Sequence, residues 1–430
     1  MDSDVSADEG RPAVSSAGNR RKIIAAGAIG NMLEWYDFAV YGYFAASIGR
    51  TFFPQEDPVA QVLAAFGIFA VGFLMRPLGG ATIGFLGDRF GRRTALVFSM
   101  VAMAIPTFLV GILPGYAALG VIAPILLTLL RMIQGLSVGG EYTTSIIFIV
   151  ERSPADRRGV MAALTCCGTT IGILLGSGTG AALGAIMSAA ALEEWGWRIP
   201  FLLSLLFGGT GYLLRRHLPA PPESPIRAGS PLLDTLSKHG RLLLWLAALS
   251  AFTGVAFYVS FGYIVSWLQF SDGIPPAHAL AINTLCMAAL LPIMLVAGWC
   301  SDRIGRKPML LTGSALGVVG ALPFFWLMLH DDPAFVVLGQ MGFVLAVGMF
   351  VSAQSVAMVE VTPSAVRCTL VSLGYNLTVG ILGGCSPLAA TWLVNRTEND
   401  LSPAFLIIGA AGISLLATLS YKDIRAAKIV

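Results

Sequence analysis

The sequence predicts an all-α integral membrane protein: twelve transmembrane helices in two pseudo-symmetric six-helix bundles, with both termini cytoplasmic. Three observations carry that prediction. Of the 430 residues, 56% are hydrophobic and only 12% are charged, whereas soluble domains carry about 25% charged residues. Apolar runs of about 20 residues, long enough to cross a bilayer, recur along the whole chain between short polar turns. Two polar motifs occur twice, at offsets of 214 and 209 residues, which marks a duplicated six-span unit.

The chain opens on a polar stretch, 1–21, in which Asp2, Asp4, Asp8 and Glu9 stand among Ser, Ala and Gly. It lacks the basic-then-apolar layout and cleavage site of a signal peptide, so it reads as a disordered N-terminus before a retained first span. Spans are expected near 22–49, 60–86, 94–113, 118–149, 160–188 and 198–215, making an N-terminal bundle over 22–216. Segment 217–240 is rich in proline (Pro219, Pro221, Pro222, Pro225, Pro231) and reads as an extended, solvated linker. A second bundle, 241–422, holds spans near 241–270, 278–299, 308–329, 334–358, 366–394 and 403–421; residues 423–430 form a tail. Twenty-two of the 27 basic residues lie in the loops on the side of the termini and three in the opposite loops. The excess of positive charge places termini and linker in the cytoplasm. The six cysteines fall in or beside spans without paired spacing, so neither a disulfide framework nor a metal site is expected.

The first span carries Glu34 and Asp37 deep inside an otherwise apolar run, Ile23 to Ile48. A charged group at the bilayer centre costs at least ~2.5–3.5 kcal/mol on insertion scales and usually has a function. Three residues apart, the two carboxylates share a helical face. They repel each other there, and burial disfavours both charges, so the pair is suited to bind and release a proton. Arg76, mid-way along the second span, keeps its charge when buried and needs an anion: Glu34, Asp37 or an anionic substrate. On the fourth span Arg131, Gln134, Val138, Glu141, Tyr142 and Ser145 form one stripe at helical spacing, which is expected to face a cavity. Arg131 and Glu141 are too far apart along the helix to pair with each other. The second half has almost no charge in its spans. It offers aromatics on the seventh span, of which Tyr258 repeats the position of Tyr36, together with Gln354 and Asn376.

Between the spans, Gly87-Asp88-Arg89-Phe90-Gly91-Arg92-Arg93 and Ser301-Asp302-Arg303-Ile304-Gly305-Arg306-Lys307 form matched turns. Gly87 and Gly91 allow the tight bend, and Asp88 is placed to face a helix N-terminus or an Arg. Glu151 to Arg158 and Glu360 to Arg367 make a second matched pair. Asp88, Arg92, Glu151 and Arg158, with their copies Asp302, Arg306, Glu360 and Arg367, are therefore candidate gating residues, since positive-inside topology asks for no acids.

On these motifs the chain resembles the major facilitator superfamily, and more narrowly its metabolite:proton symporter family, which includes carriers of citrate, 2-oxoglutarate, shikimate and proline/betaine. The narrower likeness rests on Gly30-Asn31 with Glu34-Trp35-Tyr36-Asp37-Phe38, on Phe73 to Gly80, on Gln134 to Tyr142 and on Glu194 to Phe201. The resemblance implies a rocker-switch carrier with a central site between the halves, driven by the proton gradient without any cofactor, and ties Arg131 to proton transfer. Such a carrier takes a small molecule and protons as partners, sits in a bacterial inner membrane, binds no nucleic acid and acts as a monomer. The expected coupling residues are Glu34, Asp37, Arg131 and Glu141. Tyr36, Arg76, Arg131, Gln134, Tyr142, Tyr258, Gln354 and Asn376 are expected to bind the substrate. Two buried arginines favour import of a di- or tricarboxylate or an oxo acid, because the guanidinium fork grips carboxylates. The alternatives are a zwitterionic osmolyte such as proline or betaine held partly by an aromatic face, or export of a toxic metabolite. The chain ends soon after the last span with no heptad-bearing tail, so osmotic sensing through a coiled coil is not expected. An enzyme is not expected either, for want of any nucleotide, metal or nucleophile–base constellation.

Overall fold

The computed structural model describes residues 17–54, 58–216, 231–271, 274, 276–330 and 332–422. The chain before Ala17, the linker over 217–230 and the tail 423–430 lie outside the described residues. Within them the chain forms twelve membrane-length rods. In the first half, α1 is Ala17–Tyr43 continued by Ala45–Phe52, and α2 is Pro58–Leu74 continued by Arg76–Phe90. Then come α3 (Arg92–Ile112), α4 (Ile122–Arg152), α5 (Arg158–Ile186) and α6 (Ile199–Arg216). In the second half, α7 is Gly240–Phe257 carried through a π-helical turn, Tyr258–Tyr263, into Ile264–Ser271. It is followed by α8 (Pro276–Ile304), α9 (Arg306–Met328) and α10 (Pro333–Glu360). The rod α11 is Arg367–Thr378 carried through a second π-helical turn, Val379–Gly383, into Gly384–Thr397, and α12 is Pro403–Leu419.

The two ends of the first half depart from the sequence reading. Helix α1 begins at Ala17, inside the stretch read as disordered. Residues Pro231–Lys238 of the linker also form a helix. Pro231 pre-sets the first-turn dihedral, Asp234 and Lys238 pair at 2.7 Å, and Thr235 is buried.

Helix packing repeats between the halves. In the first, α1 packs on α5 and α6, α4 on α2 and α3, and α3 on α6; in the second, α7 packs on α11 and α12, α10 on α8 and α9, and α9 on α12. The halves meet along two equivalent seams, α2 against α11 and α8 against α5. Small residues let the backbones approach. A Cβ on Gly135 would strike the carbonyl of Gly72, one on Gly139 that of Arg76, and one on Gly79 that of Leu136. These three close approaches explain why Gly79, Gly135 and Gly139 are glycines and fix how α2 lies on α4. Large apolar side chains such as Leu74, Val121, Ile186, Val319, Leu388 and Leu416 are exposed on the outside, as lipid-facing positions are.

Both halves turn their motif in the same way. Gly91 has φ 92° and Gly305 φ 114°, left-handed conformations that a side chain disfavours. Gly87, read from the sequence as part of the bend, is instead helical, and its missing side chain makes room for the Cys368 thiol, 2.9 Å from where a Cβ would stand.

Candidate functional site

The charges buried at mid-membrane divide into two groups. In the first, Arg131 of α4 forms an ion pair with Asp37 of α1 at 2.5 Å, both side chains almost fully buried. Gln134 accepts from Arg131 at 2.9 Å and donates to Asp37 at 3.2 Å and to Thr107 of α3 at 2.7 Å. The Arg131 guanidinium also lies over the Tyr41 ring, 3.7 Å from its centroid. All of these side chains belong to the first half: one terminal nitrogen of Arg131 serves Asp37 and Gln134, and its Nε and other terminal nitrogen have no hydrogen-bond partner among the described residues.

The second group sits where the halves meet. Arg76 donates from Nε to Asn376 Oδ1 of α11 at 3.2 Å and from its terminal nitrogen to the Tyr258 hydroxyl of α7 at 3.1 Å. It stands here because Pro77 lacks the N–H that would bond the Phe73 carbonyl. The helix therefore breaks at Met75. Asn376 is held in turn by the carbonyls of Gly139 and Ser372. Glu34, 1% exposed, lies within electrostatic reach of Arg76 and of Glu141. Glu34 and Asp37 share a helix face, yet their surroundings differ: Asp37 meets Arg131 of α4, while Glu34 makes no hydrogen bond among the described residues and lies in the field of Arg76 and Glu141.

Aromatic rings surround Arg76. Phe73 lies 5.5 Å from its guanidinium and packs edge-on against Tyr258 at 5.5 Å. Trp35 of α1 crosses to α7, 5.5 Å from Phe257 and 6.2 Å from Tyr258. Tyr142 of α4 stacks on Tyr375 of α11 at 5.1 Å, its hydroxyl 3.4 Å from Ser355 of α10. The π-helical turn beginning at Tyr258 is of the kind often found at functional sites; nothing in the sequence signalled it. The sequence offers Phe73 within a motif and Phe257 among the seventh-span aromatics, but marks neither of them nor Tyr375 as a site residue, because an aromatic on an apolar helix carries no sign of which side it faces.

Several expected residues lie elsewhere. The Tyr36 hydroxyl donates to the Pro200 carbonyl of α6 at 3.2 Å and its ring meets Phe207, so it is turned away from the seam. Gln354 accepts from Thr253 and donates to Ser250 at 3.0 Å, a link between α7 and α10 inside the second half. The stripe on α4 does not face one cavity. Arg131 and Gln134 turn to α1 and α3, Glu141 accepts from Ser99 of α3, and Tyr142 faces the other half.

At the end that carries both termini, the charged turns form two copies of one latch. Asp88 accepts from the backbone N–H of Cys368 (3.0 Å) and Thr369 (2.7 Å), at the start of α11. Asp302 accepts from those of Gly159 (2.7 Å) and Val160 (3.0 Å), at the start of α5. Each carboxylate thereby caps a helix of the opposite half, where the helix dipole favours negative charge. Arg92 and Arg306 hold these carboxylates at 3.1 and 2.8 Å. Across the seam, Glu151 pairs with Arg367 at 2.7 Å and Glu360 with Arg158 at 3.4 Å.

The family model described as "Sugar (and other) transporter" matches residues 23–226 and 281–413. The glycine betaine/proline/ectoine/pipecolic acid transporter OusA of Dickeya dadantii (strain 3937) is 35% identical over 421 residues, covering 94% of this chain and 84% of that relative. The proline/betaine transporter of Escherichia coli (strain K12) matches with the same identity and coverage. Among solved structures, the proton:xylose symporter XylE bound to 6-bromo-6-deoxy-D-glucose superposes with a TM-score of 0.76 at 19% identity, covering 94% of this chain and 95% of that one. The human organic anion transporter MFSD10 (TETRAN) gives 0.69 at 17% identity, with 95% and 99% covered.

Proposed function

The chain belongs to the sugar (and other) transporter family of the major facilitator superfamily, and on that footing we propose that it imports a zwitterionic osmolyte of the proline/betaine kind in symport with a proton. The observation that carries this reading is the unequal state of the two buried arginines. Arg131 is neutralised by Asp37, whereas among the described residues Arg76 has only the neutral partners Tyr258 and Asn376 within hydrogen-bond distance. One guanidinium with no carboxylate in contact suits one carboxylate, not the two or three of a citrate-like anion. The rings of Trp35, Phe73, Phe257 and Tyr258 supply faces for the cationic end of the same cargo. The dicarboxylate reading needed Arg131 free as well. The relatives named as betaine and proline transporters point the same way.

In this reading Asp37 and Arg131 are the coupling pair of the first half: a proton on Asp37 weakens the ion pair and loosens α1 against α4. The two latches close the cytoplasmic side and part together when the halves rock. The test is uptake into proteoliposomes under an imposed inward pH gradient, with glycine betaine, proline, citrate and 2-oxoglutarate as cargo. Betaine and proline are expected to accumulate with the gradient and the carboxylates not. Arg76→Lys is expected to raise the half-saturating betaine concentration at least about tenfold, because the fork is lost. Accumulation of citrate or 2-oxoglutarate in place of betaine overturns the assignment.

A further inference from the structure

Between the mid-membrane residues and the latch, α4 and α5 of the first half meet α10 and α11 of the second through neutral side chains. Along α4 and α11 the contacts descend turn by turn. Asn376, which holds Arg76, donates to the Gly139 carbonyl. One turn nearer the latch, the Thr143 and Ser372 hydroxyls meet at 2.5 Å, and Glu151 and Arg367 follow at the latch itself. Beside Thr143, the Tyr142 ring stacks on Tyr375. Its hydroxyl lies 3.4 Å from both Cys166 of α5 and Ser355 of α10. The Ser355 hydroxyl donates to the Val351 carbonyl of its own helix at 2.8 Å, so it accepts from its neighbours across the seam. None of these six residues is more than 6% exposed.

This layer departs from the symmetry of the repeat. The 209-residue offset that carries Arg158 to Arg367 also carries Cys166 to Tyr375 and Tyr142 to Val351. Two large rings therefore stand on the α4–α11 side, and two smaller side chains occupy the equivalent places on α5 and α10. Tyr142 reaches from the bulky side to the small one.

We infer that this layer is a floor beneath the cargo site and a gate in its own right, shut by the stacked rings of Tyr142 and Tyr375 and separate from the charged latch. At 1.5 Å of rise per residue, the nine residues from Tyr142 to Glu151 put roughly 13 Å between floor and latch. The hydroxyl contacts of Tyr142 are long for O–H donors, so the packed rings, and not the hydrogen bonds, exclude water here. Such a barrier parts without stranding a charge, as an opened buried ion pair would. Tyr142, expected from the sequence at the substrate, thus closes the path below it. The floor rests on the reading that the latches close the same end, and it holds for any cargo.

Thiol labelling of the purified protein in detergent tests the floor without cargo. N-ethylmaleimide is added and each cysteine is read separately by mass spectrometry, Cys166 reporting the floor and Cys368 the latch. In the double variant Asp88→Asn with Asp302→Asn, Cys368 is expected to react at least about tenfold faster than in wild type, with Cys166 unchanged. In Tyr142→Ala the pattern is expected to reverse, Cys166 reacting at least about tenfold faster with Cys368 unchanged. Tyr375→Ala removes the other ring and serves if Tyr142→Ala does not fold. Tyr142→Phe keeps the stack, and Ser355→Ala loosens Cys166 without opening a passage; both are expected to behave as wild type. A Cys166 rate that rises in step with Cys368 in the latch variant overturns the floor, since one gate then controls both thiols. So does a Cys166 rate unmoved by loss of either ring, or raised as much by Ser355→Ala as by Tyr142→Ala. If the latch variant moves neither thiol, the latch reading falls, and the two ring variants still decide the floor.

Discussion

The two halves are near copies at one end and unlike at mid-membrane. At the latch the correspondence runs atom by atom: Asp88 and Asp302 each accept two backbone N–H groups at the start of a helix in the other half, and Arg92 and Arg306 each clamp the acid four residues before them. At mid-membrane the first half buries Glu34, Asp37, Arg76, Arg131 and Glu141. Among the described residues the second buries only neutral polar groups there, including Ser250, Thr253, Asn283, Gln340, Gln354 and Asn376. Both halves are wired inside. Gln340 donates to Asn283 at 2.6 Å and to the Ser260 carbonyl at 3.1 Å, much as Gln134 ties Asp37 to Thr107. The difference teaches that tying the halves together takes both copies of a repeat, since each half caps the other. Burying charge at mid-membrane takes only one. A second set of buried charges would carry its own desolvation cost with no added closure.

That contrast breaks or sharpens under substitution. The largest effect is expected from Asp37→Asn, which strands the Arg131 charge in the core. Removing one partner of a buried pair costs about 3–5 kcal/mol, so the variant should unfold in detergent at a markedly lower temperature. Adding Arg131→Gln should recover most of the loss. Failure of the double variant to recover would mean that the pair's hydrogen bonds to Gln134, and not its charges, hold α1 on α4.

An intermediate effect is expected at the latch. Asp88→Asn and Asp302→Asn each weaken charge-assisted bonds worth about 1.5–3 kcal/mol, enough to shift the open fraction by about tenfold or more. Cys368, fully buried against Gly87, reports opening through its rate of thiol labelling. Equal rates for the two variants are expected; a tenfold gap between them would show that the repeat has diverged at the gate too. The smallest effect belongs to Gln354→Ala. Losing neutral bonds to Ser250 and Thr253 costs about 1 kcal/mol, with no change in the pH profile of uptake. A shifted pH profile would bring the second half into proton handling.

The span positions, the duplicated unit and the acids and bases at lipid depth were all legible in the chain, because each rests on local composition or a short motif. Partner choice was not. Arg131 and Arg76 look alike in sequence, and so do Tyr36 and Tyr258, yet in each pair one member is absorbed within its own half and the other reaches the seam. Glu34 and Asp37, one turn apart, read in sequence as a single acid pair, yet Asp37 meets Arg131 and Glu34 makes no hydrogen bond among the described residues.

The sequence by itself determined that charges lie in membrane-spanning helices and which end of the molecule carries the matched turns. Only the tertiary structure decided which arginine meets a carboxylate and which meets neutral groups at the seam. The reason is rotational: a helix presents side chains all round at 100° per residue, and the face turned inward is chosen by its neighbours. Here the choice falls to backbone crossings at Gly79, Gly135 and Gly139, where any side chain would collide. Those crossings aim Arg131 at Asp37 and leave Arg76 facing the other half.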